Sequence, residues 1–390
     1  MRPAISALYL ADETACVSAL LAGARLDDAQ AAQVSMLAAG FVEHIRAHRR
    51  PAGGIDVFLR EYALSSEEGV ALMCLAEALL RIPDTATMDA LIRDKIAPAD
   101  WARHIGHSDS WFVNASTLGL MLTGRIVRLE ETADAGNFLG RLIVRSGEPV
   151  IRQALLHAMR IMGRQFVLGR TIDEAVVHAQ ADAARGYRHS FDMLGEGART
   201  AQQAARHYQA YMDAIRTLSI TGGLHAPGIS VKLSALHPRF EQAQAARVMA
   251  ELTPRLAELA ASARAANIDL TIDAEESERL DITLDVFETV FAGLENWEGF
   301  GLAVQAYQKR APAVLDWLSA LAKKSGRRIP VRLVKGAYWD SEIKRAQERG
   351  LCAYPVFTRK AASDVSWLAC AARMIAAGGW LKPQATSRKP

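Results

Sequence analysis

The residues of this 390-residue sequence that are best suited to chemistry lie within short apolar runs or at their ends. They are Lys232, Asp273, Gln305 and Arg332. Lys232, Asp273 and Gln305 close or follow runs of aliphatic and β-branched residues, and Arg332 lies inside such a run; these runs are typical of buried strands. A lone lysine or arginine inside a protein costs several kcal/mol unless it is paired or meets a ligand. The pattern therefore predicts a charged site, and a Lys232–Asp273 ion pair is its structural alternative.

The positive charges of this set suit an anionic substrate and an electron-accepting cofactor, and they permit a flavin. A guanidinium beside a flavin stabilises the negative charge that the ring acquires on reduction. The sequence has no Ser/His/Asp arrangement, no phosphate-binding glycine loop and no G-x-G-x-x-G turn after an early strand, so hydrolysis and phosphoryl transfer are poorly supported. His104 and His107 have helical spacing but no third ligand, and a solvated helix end is the preferred interpretation.

The elements that must position these residues follow a change of period near Gly186. From Ala4 to about Asp182 apolar residues recur three and four apart, which predicts helices. After Gly186 short apolar strands alternate with amphipathic helices, and this pattern is typical of βαβ units. Six strands are predicted, at His189–Leu194, Ile229–Leu233, Asp269–Asp273, Gly301–Gln305, Pro330–Val334 and Pro355–Thr358.

Alternation along the strands places polar side chains on one face. These are Ser230, Lys232 and Ser234 on the stretch Ile229–Leu236, then Thr271, Asp273, Ala303, Gln305 and Arg332 on the later strands. Apolar residues on the other face suit packing against helices. The polar set is therefore expected to face inward, near the C-terminal strand ends where barrel enzymes build their sites.

The predicted fold class is α/β, a (β/α)8-type (TIM-like) barrel with about six βα units, preceded by an all-α N-terminal domain. The predicted divisions are a helical arm and linker domain at 1–185, an incomplete barrel at 186–377 and a divergent tail at 378–390. A complete barrel takes about 250 residues, and only about 200 follow Gly186. The basic, proline-containing tail resembles the product of a shifted reading frame or a truncation.

Composition limits the classes of protein that fit. The 46 Lys and Arg against 43 Asp and Glu give a net charge of +3, which offers no electrostatic case for nucleic acid. No apolar run reaches the roughly 18 residues of a membrane span, and Asp12 and Glu13 interrupt the N-terminal apolar stretch. A cytoplasmic location is predicted. The four cysteines lie far apart, which predicts reduced thiols rather than a zinc site or disulfides.

Five motifs of the chain resemble the proline dehydrogenase barrel of the bacterial proline utilisation flavoenzymes of the PutA type. They are V-R-L-V-K-G-A-Y-W-D, S-V-K-L-S-A-L, D-A-E-E, A-V-Q-A-Y and Y-P-V-F-T-R-K. The resemblance covers the chain except for the divergent tail. It implies a distorted (β/α)8 barrel that oxidises L-proline to Δ1-pyrroline-5-carboxylate with FAD, which a membrane quinone then reoxidises. For the full-length family it also implies peripheral contact with the inner membrane.

The resemblance also implies roles for individual residues. Cofactor contacts are implied for Gln305, Arg332, Val334, Gly336, Ala337, Trp339, Thr358 and Lys360. Roles on the substrate side are implied for Lys232 near the proline carboxylate, Asp273 beside it, Tyr338 lining the site and Glu196 as a gate. The alternative for each residue is packing in the barrel interior or on a helix face.

Two other interpretations stay open: a non-catalytic remnant with weak or no flavin binding, and another barrel flavoenzyme, such as one of the methylenetetrahydrofolate reductase type. By comparison with the family, the sequence is expected to be without the last two strands, the final helix with its paired arginines, the NAD-dependent second enzyme and the ribbon-helix-helix. The resemblance therefore implies no nucleic-acid partner, and low activity for the chain alone. No feature of the sequence indicates an oligomeric state.

Overall fold

The computed structural model describes residues 1–47, 167–169, 171–193, 195, 197–221 and 227–384. Contacts divide the chain into two units, one of Met1–Gln30 with Thr171–Arg388 and the other of Ala31–Arg170 with Lys389–Pro390. The candidate site lies in the first unit. The predicted domain limits at residues 185 and 377 stay predictions.

Six parallel strands form one sheet, and each strand pairs with the next one along the chain. The strands are β1 (Ser190–Asp192), β2 (Gly228–Val231), β3 (Asp269–Ile272), β4 (Phe300–Gln305), β5 (Ile329–Val334) and β6 (Leu381–Pro383). Parallel pairing in chain order is what repeated βα units produce, since each strand returns to the sheet through a crossover. The predicted α/β fold of barrel type is confirmed, and so are the first five predicted strands.

The sixth strand differs from the prediction. Residues 355–358 contribute only an isolated antiparallel bridge between Gln308 and Val356. The sixth strand of the sheet is Leu381–Pro383, inside the stretch predicted to be a divergent tail. A strand prediction at Pro355–Thr358 was therefore wrong. The Leu-Lys-Pro sequence has little intrinsic preference for a β-strand. It forms β6 because its backbone pairs with that of β5.

Eleven α-helices occur among the described residues. They are α1 (Arg2–Ala7), α2 (Glu13–Ala24), α3 (Asp28–Ala47), α4 (Ile172–Ala183), α5 (Ala201–Ile220), α6 (Leu233–Leu236), α7 (Ala245–Ala265), α8 (Leu280–Gly293), α9 (Ala311–Ser325), α10 (Trp339–Glu348) and α11 (Lys360–Ala376). Side chains at the N-cap explain several of the starts, since Asp12, Thr171 and Thr200 each accept a backbone N–H of the first turn. None of these helices is both long and apolar enough to cross a membrane.

The two faces of the sheet differ as alternation predicts. One face is apolar and is buried against the helices through Ile229, Val231, Leu270, Ile272, Leu302 and Val331. On this side Phe300 of β4 stacks on Phe287 of α8 with ring centroids 5.1 Å apart. The opposite face carries the serines, Gln305 and Arg332. The sheet therefore buries its hydrophobic core on the helix side and keeps the polar residues together on the other.

One residue of the predicted polar face lies elsewhere. The strand ends at Val231, the chain turns at Lys232 and residues 233–236 form α6, so Ser234 belongs to a helix. The Ser234 hydroxyl accepts the Gly197 N–H at 3.1 Å, and the Ser234 N–H donates to Glu275 at 2.9 Å. The strand-face prediction for Ser234 was wrong, because alternation stops where the backbone changes to helix.

The N-terminal helices pack on the barrel helices over a large sequence separation. Arg2 of α1 donates to Asp285 of α8 at 2.7 Å. The Tyr9 ring lies under the buried Arg310 guanidinium at 4.8 Å. Helix α2 packs against α11 around a small apolar cluster that includes Leu20. Residues 1–24 are thus part of the same packed unit as the sheet.

Candidate functional site

Arg332, on the polar face of β5, is the centre of the site. Its Nη1 donates to Asp273 Oδ1 at 2.7 Å and to Ser230 Oγ at 2.8 Å, and its Nη2 donates to Ser190 Oγ at 2.9 Å. The residue is 9% exposed, and its buried Nε has no hydrogen-bond partner. Acceptors from β1, β2 and the end of β3 therefore fix the orientation of the guanidinium through three of its five N–H donors, and its Nε–H stays without a partner.

Lys232 extends this cluster at the end of β2. Its Nζ donates to Asp192 Oδ1 at 2.9 Å and to Asp273 Oδ2 at 3.2 Å. Asp273 thus accepts from Arg332 on one oxygen and from Lys232 on the other. The result is a continuous chain of alternating charges, Asp192–Lys232–Asp273–Arg332, which is named the charge chain below. The Lys232–Asp273 ion pair, which the sequence predicted as the structural alternative, forms one link of it.

Burial acts on the pKa values of both partners. Burial alone would lower the pKa of the Lys232 ammonium, but the charges of Asp273 and Asp192 outweigh it and raise that pKa. Burial raises the pKa of Asp273 above its usual value, against the opposing effects of Lys232 and Arg332. Lys232 therefore stays charged at neutral pH, and Asp273 is more readily neutralised by acid than an exposed aspartate.

Gln305 at the end of β4 is held at both ends of its amide. Its Nε2 donates to the Glu275 carbonyl at 2.8 Å, and its Oε1 accepts the Ala337 N–H at 3.1 Å. The Glu275 side chain is itself buried, accepts from Arg279 at 2.5 Å and has a pKa that burial raises. Gln305 therefore ties the loop after β3 to the loop after β5, while Val334 lies beside it in register.

Gly336 lets the loop after β5 approach Tyr307 closely. Its φ is +148°, and an added Cβ would be 2.3 Å from Cγ of the Tyr307 ring. Beside Gly336, the Lys335 carbonyl accepts the Tyr307 N–H at 2.6 Å. No residue with a side chain fits both the dihedral angle and the space, so glycine is required here.

The three residues implied for the rest of a cofactor lie further out. Trp339 begins α10, is 43% exposed and donates its indole N–H to the Phe357 carbonyl at 2.9 Å. Thr358 donates both its N–H and its hydroxyl to Glu13. The exposed Lys360 pairs with Asp364 at 2.7 Å. Protein groups therefore already engage the donors of all three side chains.

Not every implied substrate residue joins the charge chain. Tyr338 is half-buried at the N-cap of α10, where its carbonyl accepts the Ser341 hydroxyl at 2.9 Å. Glu196 lies outside the described residues. Within the described ranges no group of three or more His, Cys, Asp or Glu side chains is placed to hold a metal ion. The structure thus assembles Lys232, Asp273 and Arg332 directly and places Gln305, Gly336 and Ala337 beside them.

Several members of the site were not predicted from the sequence. Ser190 and Asp192 lie two apart on β1, so the alternation applied to later strands would have found them. Glu275 lies in the D-A-E-E motif but beyond the strand end, where alternation gives no guidance. Glu13 has no local signal, because its partner Thr358 is 345 positions away in the chain.

Three family models match the chain, one after another. The model for "Proline dehydrogenase" matches residues 175–388. The "DNA-binding domain of Proline dehydrogenase" matches residues 54–166, outside the described ranges, and the "Proline utilization A proline dehydrogenase N-terminal domain" matches residues 1–46. The first match spans the whole sheet and the charge chain.

Curated relatives and solved structures agree with these matches. The "Bifunctional protein PutA" of Escherichia coli K12 is 51% identical over 392 residues, which is 98% of this chain and 30% of that protein. That of Rhizobium meliloti is 49% identical over 373 residues, or 94% of this chain and 30% of that protein. A crystal structure of the D779Y mutant of Bradyrhizobium japonicum PutA is 46% identical with a TM-score of 0.68, covering 96% of this chain and 38% of that one. The chain thus spans about a third of the length of these proteins.

Proposed function

This chain belongs to the proline dehydrogenase family, as a relative of the PutA proteins, and on that premise we propose that it oxidises L-proline to Δ1-pyrroline-5-carboxylate with FAD. The observation that carries the proposal is the charge chain, in which the partly buried Asp273 carboxylate holds a lysine and an arginine side by side. A site of this kind suits a substrate with a carboxylate and a cofactor that becomes negative on reduction.

The residues present fit a flavin beside β5. When bound, FAD would accept the hydride that leaves the substrate carbon. Arg332 offers an oriented guanidinium whose buried Nε lacks a partner, and a buried donor without a partner favours binding an acceptor group. Gln305 presents an amide held in place by Glu275 and Ala337. These residues would hold the ring and stabilise its negative charge, while Gly336 keeps the neighbouring loop close.

Lys232 is the residue that we assign to the substrate carboxylate. An ammonium has three N–H donors, and Lys232 uses two of them on Asp192 and Asp273. The remaining donor is available to an incoming carboxylate. The Asp192 side chain is 46% exposed, so a substrate carboxylate can also replace its oxygen as an acceptor of the Lys232 ammonium. Asp273 keeps the ammonium positioned and charged, since its own charge raises the Lys232 pKa.

Proline-dependent reduction of bound flavin tests this proposal. A flavin spectrum of the purified chain that L-proline bleaches, even at the low rate expected from the sequence, and that a reduced nicotinamide leaves unchanged would support the proposal. A chain without flavin would favour the non-catalytic remnant, and bleaching by the nicotinamide alone would favour another barrel flavoenzyme.

Two lysine variants separate substrate binding from general effects of charge. Lys232→Met is expected to weaken binding of a proline-like carboxylate inhibitor about tenfold or more while FAD stays bound, because one charge-assisted hydrogen bond contributes about 1.5–3 kcal/mol. Lys344→Met, which removes an exposed lysine of α10, is the matched control and should change neither quantity. Loss of FAD with unchanged inhibitor affinity would contradict the assignment of Lys232.

The remaining partners are proposed from family membership. A membrane quinone would reoxidise the flavin, which requires peripheral contact with the inner membrane from a cytoplasmic location. We propose no nucleic-acid partner, since the charges nearly balance at +3, although the model matched by residues 54–166 bears a DNA-binding name. Anisotropy of a labelled DNA duplex tests this, and binding that weakens as salt rises would contradict it.

A further inference from the structure

Glu13, the first residue of α2, makes a contact that the proposed reaction does not use. Its two carboxylate oxygens both accept the Thr358 N–H at 3.1 Å, and Oε1 also accepts the Thr358 hydroxyl at 3.2 Å. Hydrogen bonds to a charged acceptor are about twice as strong as neutral ones. The N-terminal helix therefore fixes the backbone of a loop at the far end of the barrel sequence.

The packing of α2 on α11 explains why this carboxylate lies here. A Cβ added to Gly23 would be 3.9 Å from the Cβ of Ala369, so the two helices run side by side in the same direction from Glu13 and Thr358. Arg359, the N-cap of α11, makes no capping bond with its side chain. The positive N-terminal ends of α2 and α11 thus meet at the Glu13 carboxylate, and its negative charge stabilises both.

Phe357, the residue before Thr358, contacts residues near the candidate site. The residue is fully buried, and its N–H donates to the Tyr307 carbonyl at 2.8 Å. Its carbonyl accepts the indole N–H of Trp339 at 2.9 Å. The segment 355–358 is therefore tied to the exit of β4 on one side and to α2 on the other. Its Phe357 carbonyl is the acceptor that holds the Trp339 side chain.

We propose that Glu13 is a positioning residue for Trp339. Glu13 fixes Thr358, which orients the preceding peptide and so keeps the Phe357 carbonyl aimed at the indole. Because Trp339 is 43% exposed, packing restricts it only in part, and the direction of this acceptor therefore decides which rotamer it occupies. The consequence for FAD rests on the proposed function: an indole that is already oriented loses less conformational entropy when a cofactor binds.

The first test observes the indole directly and needs no cofactor. In protein labelled with 15N-tryptophan, the Trp339 indole resonance is assigned by its disappearance in Trp339→Phe. Glu13→Ala is expected to shift this resonance and to accelerate its exchange with solvent about five- to tenfold. Glu13→Gln keeps one acceptor oxygen and should have a smaller effect. Glu43→Ala, at an exposed acidic position of α3, is the matched control and should have none.

The buried Trp317 provides a check on folding in the same spectra. Its resonance, assigned with Trp317→Phe, should be unchanged in Glu13→Ala. A Trp339 resonance and exchange rate equal to those of the wild type would overturn the proposal. Equal shifts at Trp317 and Trp339 in both Glu13 variants would also overturn it, because they would show a general structural effect.

The second test measures FAD affinity in a double-mutant cycle. Glu13→Ala is expected to raise the Kd for FAD about five- to tenfold in the wild-type background and less than about twofold in Trp339→Phe. Equal increases in both backgrounds would overturn a role through Trp339. If the chain binds no FAD, the proposed function fails, while the cofactor-free indole measurement still decides the positioning role.

Discussion

Asp273 divides its two carboxylate oxygens between two cations, Arg332 on Oδ1 and Lys232 on Oδ2. A single residue thereby sets the relative placement of the side chains assigned to cofactor and substrate. This arrangement makes the effects of the two cations non-additive, because removing either one leaves Asp273 partly unpaired inside the protein. The Ser190 and Ser230 hydroxyls restrict Arg332 further.

Replacing Arg332 should affect the flavin more than replacing a nearby surface arginine. Arg332→Met is expected to weaken FAD binding about tenfold or more and to lower the flavin reduction potential, because a charge-assisted contact of about 1.5–3 kcal/mol is lost. Arg328→Met, which removes an exposed pair with Glu298 just before β5, is the control. Flavin fluorescence titration and a redox titration measure both quantities. Equal effects of the two variants would contradict the site.

The thiols should differ in reactivity according to their burial. Burial raises the pKa of Cys370 to about 12, so almost none of it is thiolate at pH 8. Cys352 is exposed. We expect iodoacetamide at pH 8 to label Cys352 rapidly and Cys370 only after unfolding, as read by peptide mass mapping. Rapid labelling of Cys370 in the folded protein would contradict the packing of α11.

At the scale of elements, the loops that follow β3, β4 and β5 form one connected support. Gln305 joins the first and third of them, and Tyr307 joins the second to Gly336 and to the segment 355–358. The Glu342 carboxylate of α10 adds a further link by accepting both the N–H and the hydroxyl of Ser277 at 2.6 Å. The site is therefore supported by loops that hold one another rather than by the strands alone.

The close approach at Gly336 predicts an unequal cost for two similar substitutions. Gly336→Ala is expected to lower the free energy of unfolding by about 2–5 kcal/mol, since the new Cβ would overlap the Tyr307 ring. Gly350→Ala, at φ +59° with open space around it, should cost only about 1–2 kcal/mol. Urea unfolding measures both changes. A similar cost for the two would mean that the loop does not press on Tyr307.

Features set by local contacts could be predicted from the sequence, and features set by long-range contacts could not. The strands β2–β5 and the inward position of Arg332 follow from alternation, which is local and survives folding. Residues 355–358 have strand-like composition but pair only through an isolated bridge, and Leu381–Pro383 has poor composition but lies beside β5. In both cases, whether the segment forms a strand depends on whether a neighbouring strand of the sheet pairs with it along its length. The contact of Glu13 with Thr358 could not be predicted, since nothing near either residue specifies it.

At the scale of the whole molecule, groups in the first dozen residues contact buried cations of the barrel and the carboxylate that pairs with one of them. Arg310 is 1% exposed, donates to Asp281 at 2.8 Å and lies over the Tyr9 ring. Ser6 donates to the same Asp281 at 3.1 Å, and Lys309 donates to the Ala11 carbonyl at 2.7 Å. The first dozen residues thus serve as partners for cations that would otherwise lack some of their contacts.

Removing Arg310 should destabilise the protein far more than removing a surface arginine. Arg310→Met is expected to lower the free energy of unfolding by about 2–4 kcal/mol. The substitution leaves Asp281 without its buried cation and removes the cation–π contact between Arg310 and the Tyr9 ring. Arg373→Met breaks an exposed pair with Asp316 and should cost at most about 1 kcal/mol. Chemical denaturation compares the two. An equally small effect at Arg310 would show that the N-terminal segment does not depend on it.

The separation of 345 residues between Glu13 and Thr358 also has a consequence for synthesis. At about 5–20 residues per second, α2 leaves the ribosome roughly 17–70 s before its partner loop exists. The apolar side of α2 that later covers Phe357 must stay unaggregated for that time. Docking of α2 is therefore a late event in folding, and the nascent chain depends on the solubility of its own first helices until the last strands are made.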